Sequence, residues 1–243
     1  MNLDDIGNLW VYLSDSPLLA ILITMLAYLG SYYLIQRFRL LRRLHLQPAL
    51  LTIVILIVVL ESTGTPYKQY FSGAQFIHFL LGPATVMLAV PIYDNMARIR
   101  MMLMPVLMGI IGAVLVSAIL TVGLANLFGL PDDIIVSLAP KSVTTPIAMG
   151  VSQSLGGLPS LTAALSLITG LIGCFTGPMV FRLTKAHDHV VKGFAMGSAS
   201  HGFGTAASFA SISVLAGAFS GLAMGCVGLA TALILPVLHL FMF

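Results

Sequence analysis

Residues 50–60 read LLTIVILIVVL, a run whose only polar side chain is Thr52. Apolar stretches of this kind recur at Pro17 to Gln36, Pro48 to Leu60, Ala74 to Tyr93, Pro105 to Phe128, Ser160 to Phe181 and Ile212 to Leu240. About 20 apolar residues cross the hydrocarbon core of a bilayer as a helix. Backbone groups inside lipid must be hydrogen-bonded within their own segment, so such runs fold as helices. The chain is expected to be an all-α integral membrane protein. Charge agrees. Charged residues make up 8% of the 243, against about 25% in a soluble domain, too few to cover a soluble surface. The length allows about seven or eight passes and leaves no room for a catalytic soluble domain or a nucleic-acid module.

The net charge of +3 does not imply a nucleic-acid partner, because the basic residues sit in short loops. Nine of the eleven Lys/Arg fall in three of them: Arg37, Arg39, Arg42 and Arg43; Arg98 and Arg100; Arg182, Lys185 and Lys192. Asp4, Asp5, Asp15, Glu61, Asp132 and Asp133 lie at the opposite ends of the same spans. The positive-inside rule makes the basic loops cytoplasmic and puts the N-terminus outside. The acidic start, Met1-Asn2-Leu3-Asp4-Asp5, is unlike a signal or transit peptide, so no targeting segment is expected. Cys174 and Cys226 lie in apolar stretches and read as inert small residues, with neither a disulfide nor a metal site expected.

Two apolar stretches are badly interrupted. Residues 132–157 carry Pro140, Pro146, Gly150, Gly156 and Gly157; residues 190–210 carry Gly193, Gly197, Gly202 and Gly204. The fourth span ends outside near Asp132 and the span from Ser160 must start outside to finish at Arg182, so 132–157 has to return to the face it left. The same logic makes 190–210 a hairpin entering from the cytoplasm, with the last span carrying the C-terminus outside. About six full spans plus two re-entrant broken-helix hairpins from opposite faces is the pattern of an inverted-repeat transporter. LGPATV at 81–86 faintly echoes LAPKSV at 138–143. Gly217, Gly221 and Gly225 share one face of the last span and read as close helix packing.

Lys141 stands outside the basic loops, in the first interrupted stretch. A cation at helix-centre depth costs about 2.5–3.5 kcal/mol on insertion scales, so it faces a cavity or a partner. There it would balance an anionic substrate; near an interface it would snorkel to water and serve structure alone. Ser142, Thr144 and Thr145 add hydroxyls beside half-helix ends exposed by Pro140 and Pro146, though Ser and Thr also serve plain helix–helix hydrogen bonding. In the second stretch His201 is the histidine at depth, with Ser198, Ser200 and Thr205 around it. An imidazole can donate, accept or carry a proton near neutrality, or make one structural hydrogen bond. Gly197, Gly202 and Gly204 would let backbone approach a ligand closely. His187 and His189 share a loop with Lys185, Asp188 and Lys192 and read as solvated rather than metal-binding.

The motifs KSVTTPIAMGVSQSLGG at 141–157 and GFAMGSASHGFGTA at 193–206 resemble the LrgB/CidB membrane-protein family, which also supplies one half of the plastidic glycolate/glycerate translocator. The resemblance runs from about residue 48 to the end, within a single LrgB-like transmembrane domain over 1–243 whose residues 1–47 add a span and a basic loop. It implies either export or exchange of small carboxylates (pyruvate, glycolate, glycerate) or an antiholin-like regulator of murein hydrolases and autolysis. An LrgA/CidA-type small membrane partner is implied as well; a homo-oligomer is left open. Ala207 and Ser208 follow Gly204-Thr205-Ala206 where many members place a basic residue. The leading expectation is a carrier or facilitator for small organic anions in the cell membrane, with the lytic regulator as the competitor. A carrier saturates and discriminates; a pore sorts by size. Neither an enzyme nor a cofactor is expected: Gly150-Val-Ser152-Gln-Ser154 misses the G-x-S-x-G pattern, and no carboxylate lies at depth to orient His201.

Overall fold

The computed structural model describes residues 17–38, 41 and 48–242. Asp4, Asp5, Asp15, Arg39, Arg42 and Arg43, used above for orientation, lie outside them. The chain divides into two compact units, residues 1–87 and 88–243.

In the first unit α1 (Pro17–Arg37) packs against α2 (Pro48–Thr63) and α3 (Tyr67–Phe79), and α4 (Leu81–Met87) follows. Gly73 lets α3 press onto the first turn of α1, where a Cβ would stand 2.7 Å from that of Ala20. The Thr24 and Tyr70 hydroxyls pair at 2.8 Å, and Thr52 donates to Ser31 at 3.2 Å. Close packing and hydrogen bonds of this kind hold helices together in lipid, where apolar surface gains nothing by meeting apolar surface.

Proline decides where several helices stop. It has no N–H, so the carbonyl four residues earlier loses its partner. Pro83, Pro91 and Pro105 would orphan Phe79, Met87 and Met101, and these are the last residues of α3, α4 and α6 (Met96–Met101). The span expected over Ala74 to Tyr93 is thereby corrected: it is a series of short helices, α3, α4 and α5 (Ala89–Asp94). At the next break Asn95 turns its side-chain amide onto the Pro91 carbonyl at 2.8 Å. Pro178 and Pro236 lie within longer helices without ending them, so a missing bond permits a break and does not suffice for one.

The rest of the second unit comprises α7 (Leu103–Leu127), α8 (Asp132–Leu138), α9 (Thr145–Ser154), α10 (Pro159–Leu183), α11 (His189–Ser211) and α12 (Val214–Met242). α12 is its axis and packs against α5, α7, α9 and α11; α10 packs against α8, α9 and α11. The core runs through Val106, Ile110, Val114, Val143, Ala148 and Phe219, the last fully buried. On α12 Val227, Thr231 and Leu235 are buried, while Leu229, Leu233, Val237 and Leu240 are exposed on the other side. A helix apolar on its outer face as well as its inner one suits lipid. α1, α7, α10 and Val214–Phe241 of α12 are long and apolar enough to cross a membrane. α2, with 16 residues, measures about 24 Å, short of the roughly 30 Å hydrocarbon core.

Both interrupted stretches double back. After α8 the chain unwinds over 139–144, runs through α9 and returns, so that the Leu158 N–H donates to the Ser137 hydroxyl at 2.7 Å. Gly156, at φ +86, makes the turn that begins the return into α10. In the second stretch the expected glycine-rich break is narrower than the sequence implied. α11 is helical on both sides of one residue, His201, at φ 38 and ψ −122. The reversal there brings His189 Nδ1 within 2.9 Å of the Ser213 hydroxyl. Asp188 caps the entry by accepting from the Val190 N–H at 2.6 Å. Gly193 and Gly197 lie directly against the Ala216 and Ser220 carbonyls of α12.

Candidate functional site

The unwound segment 139–144 is held from two sides. On one side is α7. The Lys141 ammonium donates to Thr121, and the Ser142 and Ser117 hydroxyls pair at 2.8 Å. Ser117 and Thr121 are four apart and therefore share one face of α7. On the other side is α10. The Ser166 hydroxyl donates to the Val143 carbonyl at 2.7 Å, with the Lys141 carbonyl at 3.2 Å. Unwound carbonyls in lipid need such a donor, since no water replaces the lost helical bond. Pro140 is fully buried and supplies no N–H to the break.

Ser166 also serves the second reversal. His201 is 5% exposed, and its Nε2 lies 3.1 Å from the Ser166 carbonyl. A carbonyl only accepts, so Nε2 carries the proton and Nδ1 is left as the acceptor of the neutral ring. The ring rests against Gly170, where a Cβ would stand 2.7 Å from Nε2. One residue of α10 thus touches both chain reversals, through its hydroxyl on one side and its carbonyl on the other.

The other expected residues separate. Ser200 is fully buried and faces Gly173 of α10 beside the Cys174 thiol. Thr205 points the other way, donating to the His201 carbonyl at 3.0 Å and lying 3.1 Å from Ser220 of α12. Ser198 is half-buried and donates to the Phe194 carbonyl of its own helix. Thr144 and Thr145 are half-buried at the start of α9, and the Thr144 side chain does not cap it. Gly204 meets the Met196 carbonyl, while Gly202 faces open space. Among the described residues no three His, Cys, Asp or Glu converge.

A narrow cleft opens between α7, the unwound segment and α12. Its volume is about 10 Å³, and Ser117, Pro140, Ser142, Val143, Thr231 and Leu235 line it, which leaves room for about one water molecule. Ser117, Thr121, Ser166 and Thr231 were not singled out in the sequence. Nothing there sets them apart from other Ser and Thr in apolar runs, and only the fold turns them toward the breaks.

Membrane-spanning helices, backbone unwound at a buried seam and hydroxyls gathered on it define a multi-pass membrane protein with a polar interior. The chain belongs to the LrgB-like family, which matches residues 24–241. The holin-like protein CidB of Staphylococcus aureus is 32% identical over 226 residues, 93% of this chain and 97% of that protein. The CidB of Staphylococcus epidermidis is 33% identical over 198 residues, 82% and 86% of the two chains. The uncharacterized protein YwbG of Bacillus subtilis is 32% identical over 225 residues, 93% and 98%. No solved structure matches.

Proposed function

We propose that the chain is a holin-like membrane protein that regulates murein hydrolase activity and autolysis together with an LrgA/CidA-type small membrane protein. Its similarity over most of the chain to the holin-like CidB proteins supports this reading more directly than any other observation.

A second reading, a transporter or facilitator of small organic anions of the pyruvate, glycolate or glycerate class, is favoured by one geometric observation. Ser166 ties the two chain reversals together beside a lysine that makes no ion pair among the described residues. In this reading the reversals are re-entrant hairpins of an inverted-repeat carrier and both termini are outside. Lys141 balances the anion, and Ser142, Thr144, Thr145, Ser198, Ser200, His201 and Thr205 supply polar contacts as the hairpins move. Purified protein in liposomes separates the readings. Saturable counterflow that discriminates among monocarboxylates supports the carrier, whereas release graded only by solute size supports the holin-like reading. Cysteines introduced at Asp132 and Gly157 test the hairpin: labelling from one face supports it, and labelling from opposite faces overturns it.

A further inference from the structure

We propose that the basic end of the second unit is a docking surface for anionic phospholipid. Arg98, Arg100, Arg182, Lys185 and Lys192 hold the phosphodiester headgroup, and the outer faces of α7 and α10 carry the acyl chains. The surface uses none of the residues of the seam around Lys141 and holds under either reading of the function.

Packing brings these residues to one end. Arg98 and Arg100 lie on α6, directly before α7. A Cβ on Gly109, in the second turn of α7, would stand 2.8 Å from the ring of Phe194, in the second turn of α11. α7 and α11 therefore begin side by side, with Lys192 in the first turn of α11. Arg182 and Lys185 arrive through the short turn from α10, which the Ala186 N–H closes onto the Phe181 carbonyl at 3.0 Å. Lys185 takes φ 52 there, the left-handed conformation that glycine usually supplies at a helix end. A cation thus stands where a glycine would cost less. Four of the five side chains are exposed and Lys192 is half-buried.

Charge selects the partner. Asp94 and Asp188 are the carboxylates of the segments that meet here, and the Asp188 side chain is committed to the Val190 and Val191 N–H groups at 2.6 and 3.3 Å. None of the five cations makes an ion pair among the described residues. No lysine or arginine lies between Leu103 and Pro140, so the far end of α7 runs into Asp132 and Asp133 uncompensated and the unit is polarised. Clustered Lys and Arg at the ends of membrane helices attract anionic headgroups, and a guanidinium grips phosphate through parallel N–H donors. Apolar surface adjoins the charge. Ile99 is buried between Arg98 and Arg100, while Met101 and Leu183, next to Arg100 and Arg182, are exposed. Met104, Met108 and Ile111 continue as one exposed stripe of α7, and Phe175 and Met179 lead along α10 to Arg182. A free phosphate would use the charges alone; a diacyl lipid uses both.

Native mass spectrometry of the detergent-solubilised full chain tests the surface, with phosphatidylglycerol, phosphatidylcholine of the same acyl chains and glycerol 1-phosphate as probes. Phosphatidylglycerol should bind about tenfold more tightly than phosphatidylcholine, and glycerol 1-phosphate should not be retained. Arg98→Gln combined with Arg100→Gln should weaken phosphatidylglycerol about thirtyfold, the product of two cations lost near an anionic surface, and leave phosphatidylcholine unchanged. Both side chains are exposed, so the size-exclusion profile should not move. Lys185→Gln combined with Lys192→Gln, an independent pair, should act in the same direction. Lys68→Gln, in the first unit, should leave phosphatidylglycerol binding as it is. Equal affinity of the wild type for the two lipids would overturn the proposal. So would phosphatidylglycerol binding that both double variants leave unchanged, or that Lys68→Gln weakens as much as they do. Glycerol 1-phosphate held as tightly as the lipid would make this a free-anion site and overturn the lipid surface.

Discussion

The two chain reversals of the second unit solve one problem with different chemistry. The first uses six residues, 139–144, in which proline removes a donor and the unwound carbonyls take hydroxyl donors from a neighbouring helix. The second uses one residue, His201, in a positive-φ conformation that non-glycine residues rarely adopt, at a cost of about 1–3 kcal/mol. Tight packing maintains it, because Gly193, Gly197 and Gly204 let backbone meet backbone on either side. The first reversal thus relies on hydrogen bonds to its unwound carbonyls, and the second adds close backbone packing to its hydrogen bonds. That difference sets how each should fail.

The largest effect is expected where backbone packs directly against backbone. A valine at Gly197 would drive its Cβ into the Ser220 carbonyl of α12, which is backbone and cannot step aside. Gly197→Val should destabilise by about 3 kcal/mol or more and sharply lower the yield of folded protein in size-exclusion chromatography. A milder loss is expected at the hydrogen-bonded reversal. Ser166→Ala removes the donor to the Val143 and Lys141 carbonyls but keeps its own carbonyl for His201. It should cost about 1–3 kcal/mol, with hydrogen exchange rising over 141–145 and unchanged over 199–203. Equal loosening of both segments would break the distinction.

Lys141→Ala should weaken carboxylate uptake or binding about tenfold, the size of one lost charge-assisted contact, while leaving the melting temperature near wild type. Lys141→Arg should impair it too, since a guanidinium is wider and differently shaped. Normal uptake by both variants would leave Lys141 a structural partner of Thr121. A stability loss of about 1 kcal/mol is expected for His201→Asn, where asparagine keeps a donor but fills less of the buried site. It cannot titrate, so any pH dependence of uptake between about 5 and 8 should flatten.

Much of this was legible in the linear chain because the bilayer leaves few choices. Long uncharged runs in lipid become helices whatever their neighbours; hence α1, α7, α10 and α12 lie where hydropathy put them. The interruptions were legible as well, since Pro140 and the glycines of 193–204 mark backbone that deviates from a helix. Their form was not. Four glycines suggested a broad break, yet three of them serve helix contact, and the reversal falls on the histidine among them. Proline positions likewise could not say which helices would end, because Pro83 and Pro178 carry the same missing donor, yet a helix stops four residues before the first and runs through the second. The polar seam was least legible of all. A hydroxyl in an apolar helix has the same sequence signature whether it bonds its own backbone, as Thr176 does, or bridges two distant segments, as Ser166 does. Periodicity along one helix reveals which residues share a face. Which face meets which is set by close packing among helices distant in sequence, and that alone brought Ser117, Thr231 and Ser166 to the breaks.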